Sequence, residues 1–413
     1  MSVIRKGTDP SVIQEHLDEL ELLLDTAGAD VCARMYQERV RPDVATALGS
    51  GKVAELKEIL EESNATMVVF DDDLTPGQVR NLERETKVKV LDRCGVILDI
   101  FASRARSVEA RTQVELAQHE YLLPRLTRMW THLSKQYGGV GTRGPGETQI
   151  ETDRRMFRQR IQRLKEKLLQ VETQRTVQRA TREGIPRFAL VGYTNAGKSS
   201  LLKTIAQADV HIEDRLFATL DTTVRAMHLP DGRKALLSDT VGFIRKLPTQ
   251  LIASFRSTLA ETLEADVLLH VVDASNEAYR DHVDVVQQTL ASLGASDLPT
   301  IMVFNKIDAI SDRHRLNDIE LEFPHAVFVS ALRGINVNRL LESMCQTYDE
   351  SSNILTLLVS YEDGKRQHGI YTETNVIART EEADGIRLSV RVPSDKLSSF
   401  KTRYADLLHS SSS

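Results

Sequence analysis

The stretch Gly192-Tyr193-Thr194-Asn195-Ala196-Gly197-Lys198-Ser199 decides how this chain is read. It has the G-x-x-x-x-G-K-S spacing of a phosphate loop. Phe188-Ala189-Leu190-Val191 before it reads as a buried strand, and Ser200 to Ala206 after it as a helix. A loop between a strand end and a helix N-terminus aims several backbone N–H groups at one spot, where the helix dipole favours negative charge. Gly192 and Gly197 let the backbone close around phosphate. Lys198 is expected to reach the β- and γ-phosphates, and the Ser199 hydroxyl to ligate Mg2+.

Further short motifs follow in order, each at the end of an apolar run. Ala235-Leu236-Leu237-Ser238 delivers Asp239-Thr240-Val241-Gly242. Asp239 is expected to hold Mg2+ through water, and the Gly242 N–H to meet a γ-phosphate. Val267 to Asp273 reads as another core strand, and Thr300 to Phe304 leads into Asn305-Lys306-Ile307-Asp308. The Asp308 carboxylate can accept hydrogen bonds from guanine N1–H and N2–H2. Adenine offers neither donor and would leave the carboxylate unpaired, so the motif predicts GTP over ATP. Val327 to Val329 delivers Ser330-Ala331-Leu332, whose backbone is expected at guanine O6. Between the phosphate loop and Asp239 lies a candidate switch, Leu216-Phe217-Ala218-Thr219-Leu220-Asp221-Thr222-Thr223, in which spacing leaves Thr219, Thr222 and Thr223 open as the Mg2+ ligand. Together these are the parts of a GTPase.

The length of 413 residues, with 41% hydrophobic and 27% charged residues, suits a globular chain of two to four domains. Cys32, Cys94 and Cys345 lie far apart without metal spacing, which points to a reducing, cytoplasmic setting and away from zinc. The first ten residues lack the apolar core of a signal peptide, and no apolar run approaches the ~20 residues of a membrane span. The net charge of −6 hides an asymmetry: residues 103–182 hold 17 Lys/Arg against 8 Asp/Glu, a balance of +9 that leaves −15 elsewhere. A basic block in an acidic chain points to a polyanionic partner or, on charge alone, to a solvated helical face.

Residues 1–106 alternate helical and strand patterns and predict a small parallel α/β domain. Asp30 to Met35, Thr66 to Phe70 and Val88 to Asp92 read as its strands. A capped helix opens at Thr75-Pro76. Gly49-Ser50-Gly51-Lys52 resembles half a phosphate loop, but it lacks the first glycine, and Val53 stands where the metal-binding hydroxyl belongs. It is read as a loop before a helix. Asp71-Asp72-Asp73 is read as an exposed loop.

Residues 107–183 predict an antiparallel helical hairpin. Leu116, Leu123, Leu126, Trp130, Leu133 and Tyr137 fall at heptad spacing, with Pro124 expected to kink the helix. Phe157, Ile161, Leu164, Leu168 and Val171 repeat on the second helix. The tip, residues 138–146, contains a formal dinucleotide fingerprint at Gly139, Gly141 and Gly144, which is rejected because a heptad helix and not a strand precedes it. A backbone nearly bare of side chains, with Arg143 as its charge, can press against a macromolecule. Arg154, Arg155 and Arg158 extend a basic face suited to phosphates. A projecting hairpin favours folded RNA over a DNA groove. The rival is a basic hairpin that binds a protein. Residues 184–350 form the predicted GTPase domain. Residues 351–413 read as a small α+β domain, with a strand over Ile354 to Ser360, a hairpin over Asn375 to Val392, a helix over Pro393 to Leu408 and a disordered tail from Ser410.

Four stretches make the chain resemble the HflX family of ribosome-associated GTPases: Gly141 to Glu147, Gly192 to Ser199, Phe217 to Asp221, and Asp239 to Ile244. The resemblance covers roughly residues 10 to 350. It implies an N-terminal α/β domain, a helical hairpin and a Ras-like P-loop domain, and it implies Thr219 as the switch Mg2+ ligand. It also implies binding to the large ribosomal subunit with the hairpin tip near the peptidyl-transferase centre; the chain itself is expected to be a monomer. The chain departs from the family at Thr222, where proline is usual. Phe243 stands where Ras-type enzymes carry the glutamine that orients the attacking water, so slow, partner-stimulated hydrolysis is expected. In related GTPases an asparagine at the position of Asn195 helps bind K+, which makes K+ a second candidate cofactor beside Mg2+.

Overall fold

The computed structural model describes residues 1–126, 145–179, 185–206, 216–217, 219–220, 222–246, 262–393 and 397–408. The tip residues Gly139, Gly141, Arg143 and Gly144, the helical continuation expected through Tyr137, Ala218, Asp221 and the tail from Ser410 lie outside them. The chain divides into two compact units. The first holds residues 1–171 with the described parts of 214–220 and Lys246; the second holds the described parts of 172–213, 221–245 and 257–413.

The first unit opens with β1 (Ser2–Arg5), α1 (Pro10–Thr26), β2 (Tyr36–Arg39), α2 (Ser50–Ser63), β3 (Met67–Phe70), α3 (Pro76–Thr86), β4 (Lys89–Asp92) and α4 (Arg93–Arg104). β1 pairs in parallel with β2, and β3 with β4. The helix starts are set locally. Thr75 caps α3 through a reciprocal capping box with Gln78, followed by Pro76 in the first turn. Asp92 caps α4 at the Gly95 N–H and also accepts from the Tyr121 hydroxyl at 2.7 Å and from Arg125 at 2.9 Å. That one carboxylate fastens α5 (Val108–Leu122) to the end of β4. Pro124 follows the end of α5 and lies in a turn, so it terminates this helix where a kink was expected. α6 (Pro145–Arg179) meets α5 through Glu115–Arg160 and Glu120–Lys165 ion pairs.

Three further expectations fail here. Ser50, Gly51 and Lys52 are not a loop before a helix but the first turn of α2, with Gly49 at its cap. Asp30 to Met35 is not a strand; the strand forms next to it at Tyr36–Arg39, where β1 supplies the hydrogen-bonding partner. Asp71 is not in an exposed loop. It is fully buried, with its carboxylate 2.7 Å from the buried Arg93 guanidinium and 2.7 Å from the Lys246 ammonium. Glu19 takes the other side of Arg93 at 2.6 Å, and Asp72 meets Lys246 at 2.8 Å. A triple-aspartate run looks solvated because its cations come from positions far away in the chain. In the same unit Leu216, Phe217 and Leu220 are buried, and the Phe217 ring meets Phe101 edge-on at 4.6 Å.

The second unit is built on a six-stranded sheet. Its elements are β5 (Arg187–Gly192), α7 (Lys198–Ala206), β6 (Thr223–His228), β7 (Lys234–Asp239), β8 (Val267–Asp273), α8 (Tyr279–Leu293), β9 (Thr300–Asn305), α9 (Arg313–Glu322), β10 (Val327–Phe328) and α10 (Val337–Glu350). The order is β10-β9-β8-β5-β7-β6, parallel except for the antiparallel edge strand β6. β5 lies between β7 and β8 and buries Phe188 to Val191 almost completely, as a central parallel strand requires. The C-terminal ends of β5, β7 and β9 therefore release Gly192, Asp239 and Asn305 along the same sheet edge.

The same unit carries β11 (Ser352–Val359), α11 (Gly364–Glu373), β12 (Asn375–Glu382), β13 (Gly385–Pro393) and α12 (Leu397–Arg403). These form an antiparallel sheet in the order β11-β13-β12, the small α+β element expected. Asp349 of α10 meets Arg391 of β13 at 2.6 Å and Arg233 at 2.8 Å. Among the described residues no helix is long and apolar enough to cross a membrane.

Candidate functional site

Backbone geometry makes the loop after β5 a cradle. Gly192 has φ +154°, and a Cβ there would fall 2.2 Å from the Val271 carbonyl oxygen of β8. Gly197 has φ +90°, and a Cβ would fall 2.3 Å from the Asn305 amide nitrogen. Both positions therefore exclude any side chain. Lys198 opens α7 and is buried; its ammonium donates to the carbonyls of Gly192 at 3.1 Å and Tyr193 at 2.8 Å. Burial lowers its pKa to about 8 against the opposing pull of Asp239. A buried cation held by neutral carbonyls gains when an anion arrives. Asn195, exposed with φ +60°, stands at the outer turn.

The Ser199 hydroxyl donates to the buried Asp239 carboxylate at 2.6 Å. A hydroxyl and a carboxylate are hard oxygen donors of the kind Mg2+ takes. Thr219 belongs to the first unit and is half-buried there. Thr240 fixes the strand end by donating to the Leu190 carbonyl at 2.6 Å. Gly242 lies against the phosphate loop: a Cβ there would fall 2.9 Å from Thr194 Cα and 3.1 Å from the Lys198 ammonium. Phe243 is buried, its N–H donating to the Gly192 carbonyl at 3.0 Å while its carbonyl accepts from the Thr194 N–H at 2.7 Å. It packs as a structural residue of the seam.

The loop after β9 is tied to the same cradle. The Asn305 side chain donates to the Ala196 carbonyl at 2.9 Å and accepts from the Ala331 N–H at 3.0 Å. It joins Ala196, the start of Lys306-Ile307-Asp308 and the Ser330-Ala331-Leu332 turn. Lys306 has φ +63° and is paired with Asp273 at 2.6 Å. The Ser330 hydroxyl holds the Asp308 carboxyl below its ordinary range, with the Arg333 guanidinium adding to the effect. Leu332 is 85% exposed, so its contribution is confined to backbone or to an apolar surface.

Three further residues hold these loops without belonging to any of the motifs. Asp273 was visible as the polar end of an apolar strand. Thr204 donates to the Ala331 carbonyl at 2.8 Å, linking α7 to the last turn. His282 of α8 stacks on Tyr193, and nothing in the sequence marks one polar residue on a helix for that role.

Comparison with known proteins agrees with this geometry. Family models described as "GTP-binding GTPase N-terminal", "GTP-binding GTPase Middle Region" and "50S ribosome-binding GTPase" match residues 14–102, 104–182 and 187–306. GTPase HflX of Flavobacterium psychrophilum is 53% identical over 309 residues, 75% of each chain. GTPase HflX of Escherichia coli K12 is 42% identical over 383 residues, covering 92% of this chain and 90% of that one. The chain belongs to the HflX family. It is accordingly a GTPase with a P-loop α/β core. Among solved structures, the SsGBP and GDP complex is similar to this HflX-family chain at 25% identity, covering 84% of this chain and 98% of that one with a TM-score of 0.46.

Proposed function

We propose that this chain is a GTP-driven switch that binds the large ribosomal subunit in its GTP form and leaves after hydrolysis. Its place of action would be the cytoplasm, as a monomer, in ribosome splitting, rescue or assembly under stress. The observation that carries the reading is the match of residues 187–306 to a 50S ribosome-binding GTPase model over a cradle suited to a triphosphate. In this reading Gly192 to Ser199 hold the phosphates, and Ser199, Thr219 and, through water, Asp239 serve Mg2+. Phe217 to Asp221 and Asp239 to Gly242 respond to the γ-phosphate. Asn305 to Asp308 and Ser330 to Leu332 hold guanine.

Water attacks the γ-phosphorus while the bond to the β–γ bridging oxygen breaks, giving GDP and phosphate. No side chain is assigned as general base. Phe243 cannot align water, and its burial beside the phosphate loop supports slow intrinsic turnover that a partner raises by ordering the switches. Asn195 would help bind K+; equal rates in Na+ and K+ would remove that role. The tip with Gly139, Gly141, Arg143 and Gly144 would touch rRNA near the peptidyl-transferase centre. Exposed Arg155 and Arg158, with half-buried Arg154, would line phosphates along α6.

Co-sedimentation with purified large subunits tests this, with a non-hydrolysable GTP analogue, GDP or no nucleotide, and with residues 139–145 replaced by a short serine linker. Binding restricted to the GTP analogue and lost in the variant supports the reading. Absence of binding in every state overturns it in favour of a protein partner for the hairpin.

A further inference from the structure

Tyr193, inside the phosphate loop, is gripped from two directions. Its ring stacks on His282 of α8, with centroids 3.7 Å apart and planes 9° from parallel. Its hydroxyl oxygen accepts the Arg245 backbone N–H at 2.9 Å. Arg245 lies shortly beyond Gly242 and Phe243 in the segment leaving β7. Between them Phe243 exchanges backbone hydrogen bonds with Gly192 and Thr194 at 3.0 and 2.7 Å. The segment after Asp239 is thus fastened to the phosphate loop along its length, and its far fastening runs through the Tyr193 side chain. Burial pushes the His282 pKa down to about 4, with Asp273 and Asp281 pulling up and Arg245 pushing down, so near neutral pH the ring stacks uncharged.

We propose that His282 and Tyr193 are positioning residues for Gly242, and that their stack determines how well the site accepts the third phosphate of GTP. The inference rests on the reading of this site as a guanine-nucleotide site. A loop already held near its bound position loses little freedom when ligand arrives, whereas a loosened one must first be ordered. On that reading Gly242 meets the γ-phosphate alone. GDP, which lacks it, is indifferent to where the loop rests.

The test is equilibrium binding of fluorescent GDP and of a non-hydrolysable GTP analogue to the full chain with Mg2+, for the wild type, H282A, H282F and Y193F. H282A should weaken the GTP analogue roughly three- to tenfold, the range of one aromatic contact, and change GDP by less than about twofold. H282F keeps a ring and should restore the wild-type value. Y193F keeps the ring, the stack and the loop backbone and loses only the hydroxyl bond to the Arg245 N–H, so it should weaken the GTP analogue more than GDP; it decides the matter if H282A fails to fold. Equal losses for both nucleotides, tighter binding of the GTP analogue, or no change would overturn the inference. Failure of the wild type to bind either nucleotide would instead overturn the reading of the site itself.

Discussion

Two stretches of this chain put glycines and a lysine at the start of a helix, and they are built differently. At Gly49-Ser50-Gly51-Lys52 the backbone is ordinary: Gly49 is extended, at φ −72° and ψ 154°, and a Cβ on Gly51 would meet nothing within 4 Å. Lys52 pairs with Glu55 one turn along α2 at 2.7 Å. At Gly192 to Ser199 a strand ends directly beneath the loop, two glycines lie against backbone and side-chain atoms of neighbouring strands, and the lysine is buried against carbonyl oxygens. The composition is nearly shared. What separates them is whether the surrounding sheet takes the lysine out of water and leaves it without a carboxylate neighbour of its own turn. A phosphate site comes from that burial as much as from the glycines.

Paired substitutions sharpen the contrast. K198A should lower affinity for GTP and GDP about a hundredfold or more, since charge-assisted hydrogen bonds are worth roughly 1.5–3 kcal/mol each. K52A should leave both within about twofold, read by the same nucleotide titration. A Lys52 effect equal to that of Lys198 would break the comparison.

Glycine replacements carry the next effect. G192A forces a positive φ on a residue with a Cβ and drives that Cβ into the Val271 carbonyl, so the unfolding free energy should fall by about 3 kcal/mol. G51A adds a methyl to an open position in α2 and should be neutral or stabilising by about 0.5 kcal/mol. Urea unfolding midpoints of the two variants decide this.

A smaller effect depends on pH. His270 of β8 is buried near Lys198; burial and then that charge lower its pKa to about 4. An unfolded histidine titrates near 6.5. Between those values the unfolded chain takes up a proton that the folded chain refuses. The stability present above pH 6.5 is therefore lost as pH falls toward 4, at up to about 1.4 kcal/mol per pH unit. H270L should flatten that part of the stability–pH profile by about one proton, and an unchanged slope would contradict the assignment.

The nucleotide half was legible in the sequence because its signals are local. β5, β8 and β9 are mostly apolar runs, broken within only by His270 of β8, that end in Gly192, Asp273 and Asn305, and each motif follows its strand within a residue or two. The first half was less legible because its determinants are distant. The strand at Tyr36–Arg39 is polar and half-exposed and exists through its pairing with β1. Asp71 is buried because Arg93 and Lys246 come to it. α11 has one fully buried residue, Ile370, and so gives no periodic signal. At the site, Asn305 and Lys306 were readable from their motif, whereas the stack of His282 on Tyr193 depends on how α8 packs.

The most direct measurement exchanges the base. Competition of GTP, ATP and XTP against fluorescent GDP should be run on the wild type and on D308N. The wild type should prefer GTP over ATP and XTP by about a hundredfold or more, the worth of two hydrogen bonds to a carboxylate. D308N should lose GTP and gain XTP, because an amide at that position accepts from N1–H and donates to the C2 carbonyl of xanthine. Wild-type binding that does not distinguish GTP from ATP, or a D308N variant that keeps its preference for GTP, would contradict the account.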